Sequence, residues 1–194
     1  MDILRKIYNW TIEKSKHPKA VWFLSLVSFS ESSFFPIPPD IILIPMIIAK
    51  RTRAWFYAFV CTISSVLGGL FGYCIGYFFY NSIGKIILEY YGLTNQFIIF
   101  EEYYLKYGIL IVIGAGITPF PYKFITIASG VFGLNVFLFT VVSFFSRGLR
   151  FYLLSFLLKF FGEKIEKLID KYFNILAILF FVLLVAGIVV VKYI

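Results

Sequence analysis

The sequence predicts an all-α integral membrane protein, built as an inverted repeat of a re-entrant helical hairpin plus a transmembrane helix, with an additional C-terminal transmembrane helix. Three observations predict it. Of 194 residues, 61% are hydrophobic and 22% aromatic while only 14% are charged, against the roughly 25% charged residues of an ordinary soluble domain. Paired prolines interrupt two of the long apolar runs. Five ionisable residues, Glu31, Asp40, Lys123, Arg147 and Arg150, lie inside those apolar stretches.

The elements follow in chain order. Residues 1–19 mix Asp2 and Glu13 with five basic residues and lack the apolar core of a secretory signal, so they read as a cytoplasmic N-terminal arm. Ala20–Ala49 is apolar but carries Pro36-Ile37-Pro38-Pro39-Asp40 and then Pro45. Proline lacks the N–H that a helix needs and restricts the residue before it, so this run should be two half-helices. Ala54–Tyr80 is an unbroken crossing, since a span takes about 20 apolar residues. Asn81–Lys106 carries Lys85, Glu89, Glu101, Glu102 and Lys106 and reads as an external loop. Tyr107–Gly133 is broken by Thr118-Pro119-Phe120-Pro121-Tyr122-Lys123, and Leu134–Leu158 is again a full crossing. Residues 162–172 have the helical spacing of an interfacial connector, and 173–194 supply the last span.

An offset of 83 residues superimposes Pro36 on Pro119, Pro38 on Pro121, Ile42 on Ile125 and Ile44 on Ile127, with acidic Asp40 falling on basic Lys123. If each hairpin leaves on the side it entered, the Lys50-Arg51-Thr52-Arg53 loop and the lysines from Lys159 to Lys171 fall on the cytoplasmic side, as the positive-inside rule asks. The two halves then have opposite orientations, a design in which sites form near the bilayer midplane where half-helices meet. Irregular backbone at that depth survives only where protein or a water-filled cavity covers it, so both breaks should lie inside.

A charge at bilayer depth costs roughly 2.5–3.5 kcal/mol on insertion scales, which makes the five ionisable residues the candidate site. Burial favours the neutral form of a carboxyl group, and the functional reading of Glu31 and Asp40 is proton coupling. The structural reading of Asp40 is a helix start, where an acid complements the macrodipole. Arg147 and Arg150 are three apart and share a helix face. Arginine offers planar donors suited to phosphate, lysine adds a point charge, and the start of a half-helix adds free N–H groups. Lys123, Arg147 and Arg150 are therefore the candidate phosphate-binding set, with internal pairing of the arginines to Glu31 and Asp40 as the structural alternative. Gly68, Gly69, Gly72 and Gly76 recur at helical spacing and read as a close-packing face.

Several classes are excluded. The net charge of +8 is spread over short loops and not over one basic face, which argues against nucleic acid. Cys61 and Cys74 have no metal-ligand or disulfide partners and read as packing residues, and His17, the single histidine, lies in the N-terminal arm. No nucleophile with a paired base stands out, so the chain does not read as an enzyme, and no metal or cofactor is expected.

Glu31 with Pro36-Ile37-Pro38-Pro39-Asp40, the Gly68-to-Gly76 run, Gly116-Ile117-Thr118-Pro119-Phe120-Pro121-Tyr122-Lys123 and Ser129-Gly130 together resemble the DedA family of bacterial and archaeal membrane proteins. That family is related to the eukaryotic VTT-domain or SNARE-associated Golgi proteins, and the second segment is most similar to its YqaA-like branch. The resemblance spans about Ala20 to Phe161. It implies opposed re-entrant hairpins, acidic residues at the first break matched here by Glu31 and Asp40, and basic residues at the second. It also implies a membrane-lipid partner, a polyprenyl phosphate such as undecaprenyl phosphate or a phospholipid moved between leaflets, with links to proton motive force. The chain departs from the family at the second break, where small residues precede Pro119 and only Lys123 follows; Arg147 and Arg150 would supply the missing charge. The expectation is a multi-pass protein of the cell inner (plasma) membrane that transports lipid with proton coupling. A proton-coupled antiporter of a small solute or a structural assembly factor is the alternative, and a homo-oligomer is left open.

Overall fold

A computed structural model describes residues 20–35, 37–92, 94–118 and 120–162, and every regular element among them is helical. The N-terminal arm with His17, the breaks' first prolines Pro36 and Pro119, the connector after Gly162 and the expected C-terminal span lie outside the described residues.

Helix α1, Ala20–Ser33, ends where Phe34-Phe35-Pro36 begins, and the backbone N–H groups of Phe34 and Phe35 both donate to the Ser30 carbonyl at 2.9 and 2.7 Å. That closes the last turn before the prolines prevent another. Helix α2, Asp40–Ala49, starts after Pro39, whose φ of −64° is already helical. Pro45 sits inside α2 without ending it, so this proline is not a break. A short 3₁₀ turn, Arg51–Arg53, leads into α3, Ala54–Phe79, which continues through a π turn, Tyr80–Gly84, to α4, Lys85–Tyr90.

Helix α5, Thr94–Ile117, corrects the sequence reading. The expected external loop is helical from Thr94 onward, because Phe97-Ile98-Ile99-Phe100 and Tyr103-Tyr104-Leu105 flank the two glutamates and form apolar turns around them. The arm ahead of the second break is therefore 24 residues long and does not begin at Tyr107. Helix α6, Tyr122–Val131, follows Pro121, and a tight turn through Gly133 (φ +64°) leads into α7, Val136–Gly162. Asn135 caps α7, its Oδ1 accepting from the N–H groups of Phe137 and Leu138 at 3.0 and 3.1 Å.

Helices α3 and α7 run antiparallel. The start of α3 meets the end of α7 where Trp55 stacks on Tyr152 with centroids 5.8 Å apart and Lys159 lies 5.1 Å from the Trp55 ring. At the other end the Tyr73 hydroxyl donates to the Leu134 carbonyl at 2.7 Å. Helix α1 packs along the first half of α3, its Ser28 donating to the Cys61 carbonyl and its Ser33 to the Gly68 carbonyl. Helix α5 runs beside α7 from Gly108, near Leu134, to Gly116, where a side chain would strike Ser146. The two helix–break–helix hairpins thus enter from opposite ends of the α3–α7 pair, and both breaks come to the middle.

α2 and α6 are each ten residues long and start 82 residues apart, as do α3 and α7. Two cores flank the middle. One joins Leu24, Leu43, Met46 and Tyr57 to Phe151 and Leu158, and the other joins Tyr104, Val112 and Tyr122 to Leu134 and Phe139. Cys61 belongs to the first core, as a packing residue should, but Cys74 is exposed.

Small residues set the spacing of the halves. A Cβ on Gly68 would lie 2.0 Å from the Phe29 carbonyl oxygen, one on Gly76 2.0 Å from that of Ile127, and one on Gly130 1.9 Å from that of Tyr73. These helices meet backbone to backbone. At Gly72, α1, α3 and α6 converge, and there Thr126 Oγ1 donates to the Ser32 carbonyl at 2.9 Å.

Candidate functional site

The two cores are separated by charge. Ser65 on α3 and Arg147 on α7 each lie eleven residues into a helix, about 16 Å along it at 1.5 Å per residue. Glu31, in the last turn of α1, meets Arg147 directly and Ser65 through Ser32.

Arg147 is fully buried, with 0% of its side chain exposed, and its Nη2 donates to Glu31 Oε2 at 2.6 Å. Its Nε donates to Ser65 Oγ at 2.6 Å, Ser65 Oγ lies 2.7 Å from Ser32 Oγ, and Ser32 Oγ donates to the same Glu31 Oε2 at 3.1 Å. Arginine can only donate and a carboxylate can only accept, so the hydroxyl directions are fixed. Ser65 receives from Arg147 and gives to Ser32, which gives to Glu31. A closed ring of charge-assisted bonds results.

Two aromatic rings also lie against the guanidinium. The Tyr122 ring lies 4.9 Å and the Phe151 ring 4.8 Å from its central carbon, contacts worth up to about 2 kcal/mol when desolvated. Tyr122 is held in turn by a 2.5 Å hydrogen bond between its hydroxyl and Ser143. Arg147 Nη1 alone has no partner among the described residues.

One turn further along α7, Arg150 pairs with Asp40 through Nη2, and its Nη1 donates to the Thr118 carbonyl at 3.2 Å. This pair is less enclosed, with 17% of the Arg150 side chain and 23% of the Asp40 side chain exposed. Asp40 Oδ1 is buried without a partner among the described residues. Asp40 is also the first residue of α2, where the sequence placed a helix start, and Thr118 belongs to the second break. Arg150 therefore ties the tips of the two hairpins together.

Of the predicted site residues, the structure gathers Glu31, Asp40, Arg147 and Arg150. Lys123 stands apart. It lies in the first turn of α6, next to Tyr122, with its ammonium 5.5 Å from the Phe124 ring, and no carboxylate among the described residues pairs with it. Pro38 and Pro39 stand between α1 and α2 and Pro121 just before α6, so the breaks border the ion pairs. Sequence reasoning missed Ser32, Ser65, Tyr122, Ser143 and Phe151. A signal was available for the serines: Ser25, Ser28 and Ser32 recur every three or four residues in an apolar run, and all three bond to α3.

No family model matches the chain, and no solved structure matches it. Two relatives do. The chain is 39% identical over 176 residues to an uncharacterized protein of Haemophilus influenzae, covering 91% of each chain. It is 33% identical over 164 residues to a protein of Histophilus somni named as a homolog of HI0703, covering 84% of this chain and 85% of the relative. The chain belongs to their family. Both matches cover most of this chain and most of the relative.

Proposed function

We propose that this chain is a multi-pass protein of the inner membrane that moves an anionic, phosphate-headed lipid between leaflets, with the ion pairs at the hairpin tips as its site. Helices α3 and α7 are long and apolar enough to cross a membrane. Their outer faces expose large apolar side chains, among them Phe71, Phe78, Phe137 and Phe145, a surface that lipid would cover and water would not. In that setting α1–α2 and α5–α6 are re-entrant hairpins whose tips are joined through Arg150, with Phe34, Phe35, Ile37 and Thr118 exposed around the junction. The shared end of α3 and α7 carries Arg51, Arg53 and Lys159, and the positive-inside rule supports a cytoplasmic side for it.

The observation that carries the reading is Arg150, a partly exposed cation held between the two breaks by Asp40 and a backbone carbonyl. A phosphate group that displaced Asp40 would meet a planar donor near mid-bilayer while its tail stayed in hydrocarbon. The released carboxylate would then be the group that exchanges a proton. The similarity to the DedA family supports a polyprenyl phosphate or phospholipid as the substrate class.

The test is reconstitution in phosphatidylcholine vesicles with a fluorescent polyprenyl monophosphate, following probe movement by loss of signal to an external quencher. The expected result is equilibration across the bilayer that slows at least tenfold in Arg150→Ala. Rates equal to those of protein-free vesicles would reject lipid transport, and a solute flux driven by a pH gradient would establish the antiporter instead.

A further inference from the structure

The two arginines share a helix face but differ in how fully the protein uses them. Arg147 has two of its three nitrogens committed, two aromatic rings within 5 Å of its central carbon and no exposed side-chain surface. Its carboxylate partner is doubly held, because Ser32 and Arg147 donate to one oxygen. Withdrawing Glu31 would break both of these bonds and leave a buried cation without its counter-ion, which is strongly unfavourable. Arg150 has one carboxylate contact, one carbonyl contact and open surface, and its carboxylate keeps an oxygen unsatisfied among the described residues. Only the second pair can part without exposing a bare charge to the core.

We infer that the two pairs have different tasks within the proposed site: Glu31–Arg147, closed by Ser32 and Ser65, is a fixed pivot between the halves, and Asp40–Arg150 is the pair that opens to receive an anion. Arg147, Ser32 and Ser65 are then positioning residues, and Arg150 is the residue that touches the ligand. Because Arg150 also holds the Thr118 carbonyl, its engagement with an anion separates the tip after α1 from the tip after α5, while the halves stay joined one turn away. This rests on the proposed site, but not on transport.

The experiment reads tip separation and stability independently of transport. Spin labels are placed by Ile37→Cys and Thr118→Cys, both at exposed positions, in full-length protein carrying Cys74→Ser, with buried Cys61 retained. Dodecyl phosphate is the probe, titrated in a neutral detergent. The label–label distance should lengthen as the probe is added, and Asp40→Asn should produce the longer distance without it. Arg150→Gln should abolish the response to dodecyl phosphate. Ser65→Ala should keep that response and its half-saturation within twofold while lowering the unfolding midpoint by roughly 2–4 °C, and Ser65→Thr should restore the midpoint. If Ser65→Ala does not fold, Ser32→Ala removes the neighbouring ring member and is read in the same way. Lengthening that survives Arg150→Gln, or that is lost in a folded serine variant, overturns the inference. Probe-dependent opening through Arg150 with no lipid movement in vesicles would reject the transport reading alone.

Discussion

The two halves of this chain share a frame but divide its charge. Superimposed at the 82-residue offset of their helices, Ser65 in the first half stands where Arg147 stands in the second, Gly68 where Arg150 stands, and Asp40 where Tyr122 stands. Glu31 corresponds to Ile113. The first half contributes both acids to the site and the second both bases. Each is left with uncompensated charge until it docks on the other, so the same contacts that assemble the fold also neutralise it. A repeat with mixed charge in each half would satisfy itself locally and need no partner.

Breaking the buried pair tests this comparison most severely. Arg147→Gln or Glu31→Gln should cost about 3–5 kcal/mol, since each strands a desolvated charge; loss of folded yield and of the thermal transition by circular dichroism in detergent is the readout. The double change Glu31→Leu with Arg147→Met should recover most of that stability. If it does not, the pair's contribution is more than mutual neutralisation.

Next in size are the backbone contacts between helices. Gly68→Ala or Gly130→Ala should cost about 1–3 kcal/mol by forcing helices apart, whereas Gly114→Ala, with nothing within 4 Å of its added carbon, should not destabilise. Thermal midpoints of the three variants measure the contrast. A smaller effect sharpens the division of charge: Asp40→Asn should cost about 1 kcal/mol, because its pair is only partly enclosed by the protein. The exchange of Asp40→Arg with Arg150→Asp should return stability but not response to phosphate if Arg150 is the binding group. The smallest concerns the joints. The second half turns through Gly133 and the Asn135 cap, and the first through Arg51–Arg53 with no side-chain cap. Asn135→Ala should therefore cost about 1 kcal/mol, while Thr52→Ala should cost little; hydrogen exchange at the start of α7 and of α3 reads the difference.

Much of this arrangement was legible in the residues. Proline chemistry located both breaks, apolar length located α3 and α7, and four of the five ionisable residues do meet. The failures have physical causes. Glu101 and Glu102 suggested a loop, but two charges on one side of a helix are compatible with apolar residues around the rest of it. Lys123 was grouped with the arginines because it adjoins a break, yet Tyr122, its neighbour, is the residue that turns toward Arg147. Adjacent positions on a helix point about 100° apart, and chain proximity alone does not choose between them. The serine ring was invisible for another reason. Ser65 is one of many small residues in α3, and only the register between α1, α3 and α7, set by glycine contacts, brings it to the guanidinium.

The long reach of the buried pair has a consequence for synthesis. Glu31 and Arg147 are 116 residues apart, and at 5–20 residues per second the acid emerges roughly 6–23 s before its base. Throughout that interval the nascent first half holds the Glu31 carboxyl group without its Arg147 partner. Assembly is thereby timed by the ribosome: α1 reaches its final packing only when α7 arrives.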